Sequence, residues 1–158
     1  RRRFMGKKII KDDRLVEDSW LLDLAAEGAD TADESATKNR GVSLKQWQQN
    51  RELLLASSGP RGVAISNDDD VLELADDVAH LDLICVQFPA AGDGRGYSQA
   101  KLLRDRLGFK NEIRAIGEVL TDQLFLMRRS GINAFDLQAD QDPEASLARL
   151  RPFSVSYQ

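Results

Sequence analysis

The stretch Leu81-Asp-Leu-Ile-Cys-Val-Gln-Phe88 decides the fold of this 158-residue chain. It is an almost continuous apolar run, which is typical of a central strand in a parallel sheet that helices cover on both faces. The Gly-rich segment Phe88-Pro-Ala-Ala-Gly-Asp-Gly-Arg-Gly-Tyr-Ser-Gln99 follows it, and a helix is predicted over 98–107, ended by Gly108. The run therefore predicts a strand, a loop and a helix in the middle of the chain.

The same alternation of strands and helices continues on both sides of this unit. Further strands are predicted at 62–66, 113–116 and 134–137, and further helices after Asn67, over 119–129 and from Asp142-Pro143 onward. The alternating residues Phe153, Val155 and Tyr157 predict a last strand. Such an alternation indicates βαβ units with right-handed crossovers. We expect an α/β protein with a mainly parallel sheet of four to five strands, built either as an open sheet or as half of a β/α barrel.

The first forty residues have a different pattern. Lys7–Lys11 and Arg14–Glu17 flank Asp12-Asp13 and predict an N-terminal β-hairpin, which Trp20 and Leu22 continue toward the core. We divide the single domain 1–158 into a hairpin region at 1–26, a mobile polar linker at 27–40 and a βα core at 41–158. In that core Ser43 caps a helix predicted over 44–57.

Composition excludes several classes of function. The net charge of −4 argues against a nucleic-acid partner. There is no apolar run of about 18 residues and no signal-peptide pattern, so we expect a cytoplasmic protein without a membrane partner. One cysteine cannot supply a Cys-based cluster, and with only one histidine as well we exclude Ser-His-Asp and Cys-His nucleophile systems unless a second copy of the chain contributes the missing groups. We therefore predict no cofactor and no metal.

Polar side chains follow three predicted strands at their carboxyl ends, where parallel α/β sheets bind ligands. The candidate residues of this rim are Asp93, Gly94, Arg95, Gly96, Tyr97, Ser98 and Gln99 after the first strand, Glu118, Asp122 and Gln123 after the second, and Asp140 after the third. Glycines let backbone N–H groups approach a ligand closely, and Ser98 is a candidate helix cap. The rim is thus predicted to bind either a small anion or a partner protein. The alternative is a tight connection in which Arg95 merely pairs with a rim carboxylate.

The rim loop is a poor match to a dinucleotide-binding loop. Gly92 and Gly94 fit the first two glycines of G-x-G-x-x-G, but Tyr97 stands where the third is required. The sequence therefore does not favour a nicotinamide or flavin cofactor.

Three segments, two of which contain rim residues, point to a family. They are Asp93-Gly-Arg-Gly-Tyr-Ser-Gln-Ala100, Ile113-Arg-Ala-Ile-Gly117 and Asp140-Gln-Asp-Pro143. Together with shorter stretches over nearly the whole chain except 27–40, they resemble an uncharacterised bacterial family. That family is described as an oxidoreductase family involved in sulfite reduction, encoded near assimilatory sulfite reductase. The resemblance implies a role in sulfur and cysteine metabolism.

The residues themselves carry no redox motif. We therefore expect an accessory protein of assimilatory sulfite reduction that acts by recognition rather than catalysis, with sulfite reductase as its partner. Two alternatives stay open at this point. One is a small enzyme or binding protein for an anionic metabolite at the 93–99 loop, and the other is a homo-oligomer that completes its sheet across two copies.

Overall fold

The computed structural model describes residues 7–23, 39–90 and 92–155. Its strands are β1 (Lys8–Lys11), β2 (Arg14–Glu17), β3 (Trp20–Asp23), β4 (Asn39–Ser43), β5 (Gly62–Ile65), β6 (Leu83–Phe88), β7 (Glu112–Gly117) and β8 (Ala134–Phe135). Its helices are α1 (Leu44–Gln49), α2 (Arg51–Ala56), α3 (Arg95–Asp105), α4 (Leu124–Arg129) and α5 (Pro143–Val155). No helix in these ranges is long and apolar enough to cross a membrane.

The strands form one mixed sheet in the order β2-β1-β8-β7-β6-β5-β4-β3. The strands from β3 to β8 pair in parallel, whereas β1 is antiparallel to both β2 and β8. The α/β class is thus confirmed, and β6 lies inside the sheet as its apolar run predicts. The expectation of a mainly parallel sheet of four to five strands is wrong, because the sheet has eight strands and is partly antiparallel. Of the two forms expected, the sheet adopts the half barrel. The pattern missed β4, whose polar residues Asn39, Arg40 and Ser43 break the apolar signal, and it placed the residues of β3 in an extension of the hairpin.

The N-terminal hairpin is confirmed. Lys11 pairs with Arg14 across the two-residue turn, and both turn residues have left-handed backbone, with φ of 52° at Asp12 and 64° at Asp13. Such a turn matches the twist of the flanking strands, and aspartate tolerates it better than most residues do. The turn is anchored at β8, because the backbone N–H of Asp12 donates to the carbonyl of Asn133 at 2.9 Å.

The sheet curls because its two edge strands are consecutive in the chain. Only Asp18 and Ser19 separate β2 at one edge from β3 at the other, and two linking residues span about 11 Å at most. The N–H of Asp18 donates to the carbonyl of Lys7 at 2.8 Å, while the carbonyl of Ser19 accepts from the N–H of Asn39 at 3.0 Å. Both edges of the sheet therefore meet at this junction, and the expectation that Trp20 and Leu22 extend the hairpin is wrong.

The inner face of the curled sheet buries a charged group. Arg114 on β7 is only 2% exposed, and its guanidinium donates to Glu112 at 2.9 Å and to Asp18 at 2.8 Å. Burial by itself lowers the pKa of Arg114, but the two neighbouring carboxylates outweigh it and the pKa is raised. Asp18 is the edge junction, so this ion pair joins the middle of the sheet to the place where its edges meet.

A smaller apolar cluster surrounds the buried ion pair. It includes Trp20, Leu83 and Cys85, and Cys85 lies directly beside Arg114 in the strand register. Burial raises the pKa of the Cys85 thiol to about 12, so the thiol is neutral at physiological pH. A buried, neutral thiol of this kind is unreactive.

The outer face of the sheet packs against the helices and holds the main core. Ser43 caps α1 as predicted, since its hydroxyl accepts the N–H of Gln46 at 3.1 Å. The helix predicted over 44–57 is divided at Asn50, whose φ of −116° is not helical. Residues 27–38 of the predicted linker lie outside the described residues, and its last two residues, 39 and 40, belong to β4.

Two further predictions need correction. The helix expected after β5 is replaced by two 3-10 turns, Val71–Leu74 and Val78–His80. Between them Asp77 is buried and accepts a hydrogen bond from Trp47 at 2.9 Å, which draws this segment toward α1. The last strand predicted around Phe153 is also wrong, because α5 continues to Val155.

We expect the buried ion pair to dominate the stability of the closed sheet. Replacing Arg114 by Met leaves the buried Asp18 without its cation and leaves Glu112 paired only with Lys11 at 3.2 Å, which costs about 3–5 kcal/mol. The matched control is Lys101→Met, which removes an exposed pair to Asp105 on α3 and changes stability by less than about 0.5 kcal/mol. Urea unfolding measures both, and equal effects in the two variants would contradict the role given to Arg114.

Candidate functional site

The predicted rim loop is shorter than expected because α3 starts early. Arg95, Gly96 and Tyr97 are helical, and Gly94 occupies the cap position without a side-chain hydrogen bond. The prediction of Ser98 as the cap is wrong, since Ser98 is exposed within the helix. Asp93, the residue before the cap, supplies the side-chain hydrogen bond instead, because its Oδ1 accepts the backbone N–H of Arg95 at 3.0 Å. The sequence favoured Ser98 because serine is a more common helix cap than glycine, the residue that occupies the cap position here.

Arg95 lies between two carboxylates. Its Nε and Nη2 donate to the two oxygens of Asp93 at 3.1 and 2.9 Å, and its Nη1 donates to Asp68 at 2.8 Å. The side-chain amide of Asn67 also donates to Asp93. The hydrogen bonds from Arg95 hold the pKa of the Asp93 carboxyl well below its usual range. The guanidinium charge is thus more than neutralised within the protein, and the cluster as a whole is acidic.

Gln99 ties the first turns of α3 to the turn after β5. It is 6% exposed, and its Nε2 donates to the carbonyls of Ser66 and Asp69, both at 2.9 Å. Its Oε1 is the one buried side-chain polar atom without a hydrogen-bond partner in the described part of the chain. Such an acceptor is satisfied by an ordered water molecule or by a donor group.

Phe88 packs tightly beneath the glycines of the motif. A Cβ atom on Gly96 would lie 2.6 Å from the Phe88 ring, and one on Gly117 would lie 2.6 Å from the Phe88 carbonyl oxygen. The Tyr97 ring meets the Phe88 ring edge-on at a centroid distance of 5.2 Å. Partial burial raises the pKa of the Tyr97 phenol, which keeps it neutral. Gly96 of the predicted rim and Gly117 at the end of β7 thus serve close packing, whereas Gly92 and Gly94 face open space.

The remaining rim residues form a second group at the ends of β7 and β8. Asp140 accepts hydrogen bonds at 3.3 Å from Gln138 and Gln141, and the Oε1 of Gln141 accepts from the backbone and hydroxyl of Thr121 at 2.9 and 2.8 Å. Asp122 is exposed and lies 3.8 Å from Arg149. These residues hold the start of α4 against α5.

The two groups of rim residues are not directly joined. Asp93 and Arg95 make no hydrogen bond or ion pair to Glu118, Asp122 or Asp140 within the described ranges. The connection runs through Phe88, whose carbonyl accepts the N–H of Glu118 at 2.7 Å. Gln123 is partly buried in the 3-10 turn before α4. The single rim predicted from sequence is therefore two neighbouring polar clusters.

Sequence reasoning missed Asn67 and Asp68 as members of the first cluster. The acidic run 68–70 has the charge that favours a helix N-terminus, and Asp70 does accept the N–H of Leu72 at 3.0 Å. Asp68 instead reaches across to Arg95. The signal was available, because both residues follow the carboxyl end of β5 and belong to the same edge of the sheet as the loop after β6.

The described residues contain no group of three or more His, Cys, Asp and Glu side chains arranged to hold a metal ion. What the first cluster offers chemically at its surface is a set of fixed carboxylates and one neutral phenol. Such groups mainly accept hydrogen bonds. They suit the recognition of a donor-bearing partner better than the binding of an anion.

A family model described as "Bacterial protein of unknown function (DUF934)" matches residues 62–158. The chain belongs to this family. The DUF934 match begins at β5 and includes both polar clusters, so the predicted resemblance to an uncharacterised bacterial family is confirmed. Comparisons with curated proteins and with solved structures found no match.

Gly96 and Gly94 provide a matched pair of substitutions. We expect Gly96→Ala to push against the Phe88 ring and to destabilise the protein by about 1–3 kcal/mol. Gly94→Ala meets nothing within 4 Å and changes stability by less than about 1 kcal/mol. Urea denaturation followed by tryptophan fluorescence compares the two, and equal stability of both variants would show that close packing does not explain Gly96.

The Asp93 carboxyl is expected to titrate below the ordinary aspartate value of about 3.9. Since its pKa is lowered in the folded state, its stabilising contribution is present above that value and is lost as the pH falls through the folded pKa. Carbon-13 NMR of the carboxyl group measures this midpoint, and Arg95→Gln should raise it while Arg106→Gln, at the other end of α3, should not. An ordinary midpoint in the unmodified protein would contradict the pairing.

Proposed function

We propose that this DUF934 protein acts by recognition rather than by catalysis, as an accessory factor of assimilatory sulfite reduction in the cytoplasm, and that sulfite reductase is its partner. The pathway comes from the family resemblance described for the sequence. The mode of action comes from the geometry of the site.

The observation that carries this proposal is the pairing of Arg95 with Asp93 and Asp68. A small anion that bound Arg95 would have to displace one of these carboxylates and would then face its negative charge at short distance. This pairing makes an anionic metabolite the less favoured ligand.

The positions of the two residues best suited to catalysis support the same proposal. His80 lies before the amino end of β6, at the edge of the sheet opposite the rim. Cys85 faces the inside of the curled sheet and is fully buried. Neither side chain is placed to act on a molecule held by Asp93, Arg95 or Tyr97.

Binding to purified sulfite reductase of the same bacterium tests the proposal. We expect the immobilised full chain to retain the reductase, and Arg95→Ala or Tyr97→Ala to weaken retention by about tenfold or more, because both remove fixed groups from the first polar cluster. Arg106→Ala removes an exposed arginine from the far end of α3 and should retain the reductase like the unmodified chain. Absence of retention by the unmodified chain would remove the assigned partner, and full retention by both rim variants would remove the assigned surface.

A further inference from the structure

Two large apolar side chains stand next to each other in solvent on α4. Leu126 is 54% exposed and Phe125 is 37% exposed, whereas their neighbours Leu124 and Met127 are buried. The outward face of a surface helix normally carries polar residues. Isolated exposed leucines are common and need no explanation. Here two apolar side chains are adjacent on one short helix, and arginine side chains and a small cavity lie beside them. This is the composition of a binding surface.

Arginine side chains frame these apolar residues. The guanidinium groups of Arg128 and Arg129 both lie 5.8 Å from the centre of the Phe125 ring. Arg128 also pairs with Asp13 at 2.8 Å, but Arg129 makes no ion pair with any described carboxylate. A guanidinium stacked on an aromatic ring keeps its edge N–H groups available for a carboxylate. This small area is therefore cationic on a chain whose net charge is −4.

A small cavity opens beside Phe125, between α4 and α5. Its volume is about 200 Å³, and it is lined by Thr121, Asp122, Phe125, Ser146, Arg149 and Leu150. Cavities that bind whole small molecules usually measure about 300–1,000 Å³. The cavity is thus of a size to take a single side chain, as the anchor pockets of protein interfaces do. Its rim adds a further guanidinium, since Arg149 is only weakly paired with the exposed Asp122 at 3.8 Å.

We propose that Phe125, Leu126, Arg129 and this cavity, together called the α4 surface, dock an acidic segment of a partner protein that places one apolar side chain in the cavity. Carboxylates on either side of that side chain pair with Arg129 and Arg149. Charge complementarity selects an acidic partner, because an uncompensated cation beside an apolar patch is neutralised and buried together with it. This inference deepens the proposed function by naming the surface and the partner's chemistry, and it rests on that function only for the partner's identity.

The probe is a fluorescein-labelled synthetic peptide of aspartate and glutamate residues around one central leucine. Fluorescence anisotropy at low salt compares its affinity for the full chain with that of two relatives, one with alanine at the centre and one with lysine in place of every acidic residue. We expect the acidic leucine peptide to bind about tenfold or more tightly than either relative. Equal affinity for the acidic and the lysine peptides overturns the inference.

Substitutions locate the binding. Leu126→Ser and Arg129→Glu should each weaken binding of the acidic peptide by about tenfold or more. The matched control is Leu53→Ser on α2, which removes an even more exposed leucine, at 72%, from a surface outside the α4 region. Binding that is unchanged in Leu126→Ser, or that falls equally in Leu53→Ser, overturns the assignment to α4.

Two further measurements separate this inference from the others. If sedimentation shows a dimer of the chain that Leu126→Ser dissociates, the surface belongs to a second copy and the acidic partner is wrong. If sulfite reductase binds the Leu126→Ser chain as well as the unmodified chain, the α4 inference fails while the proposed function stands. If the peptide binds as expected but the reductase does not bind, the proposed function fails and the α4 inference stands.

Discussion

The buried pair of Arg114 with Asp18 and Glu112 is the interaction on which the rest of the structure depends. A cation inside the curled sheet is tolerable only if carboxylates accompany it, and one of them is supplied by the junction where β2 passes into β3. The contact between Arg114 and Asp18 therefore ties the junction of the two edge strands to the middle of the sheet, and it also neutralises the charge that is buried inside the sheet. Once the inner face is closed in this way, the helices can cover only the outer face, and polar groups that face a partner must lie at the strand ends or on the helices.

The same arrangement recurs at the rim with a different consequence. Arg95, like Arg114, lies between two carboxylates, but it is exposed, so water screens the pairing and its contribution to stability is modest. At the rim, Arg95 fixes the positions of Asp93 and Asp68, so the acidic cluster has a defined pattern of hydrogen-bond acceptors. The α4 surface adds the opposite character, with cationic and apolar groups on the next helix along the sheet. The proposed recognition by two surfaces of opposite sign would account for polar residues that are conspicuous in the sequence and yet already paired.

Local patterns in the sequence predicted the local parts of this structure. The apolar run of β6 and the two-aspartate turn of the hairpin depend on neighbouring residues only, and both are confirmed. The pairing of β3 with β4 and the reach of Asp68 to Arg95 depend on contacts between distant segments, which periodicity does not contain. The α4 surface was missed for a related reason. Helical periodicity assigns inward positions such as Leu124, but it does not say that an apolar neighbour stays exposed.

The central claim is that the rim recognises a partner and does not bind an anion, because Arg95 is already neutralised. The most direct measurement is an NMR titration of the nitrogen-15-labelled chain with sulfite and with phosphate, observed at the Nε–H of Arg95. The pairing with Asp93 and Asp68 predicts no saturable shift of this signal at millimolar concentrations of either anion. A saturable shift at Arg95, absent from an Arg106 signal in the same spectra, would contradict the account and favour a binding protein for an anionic metabolite.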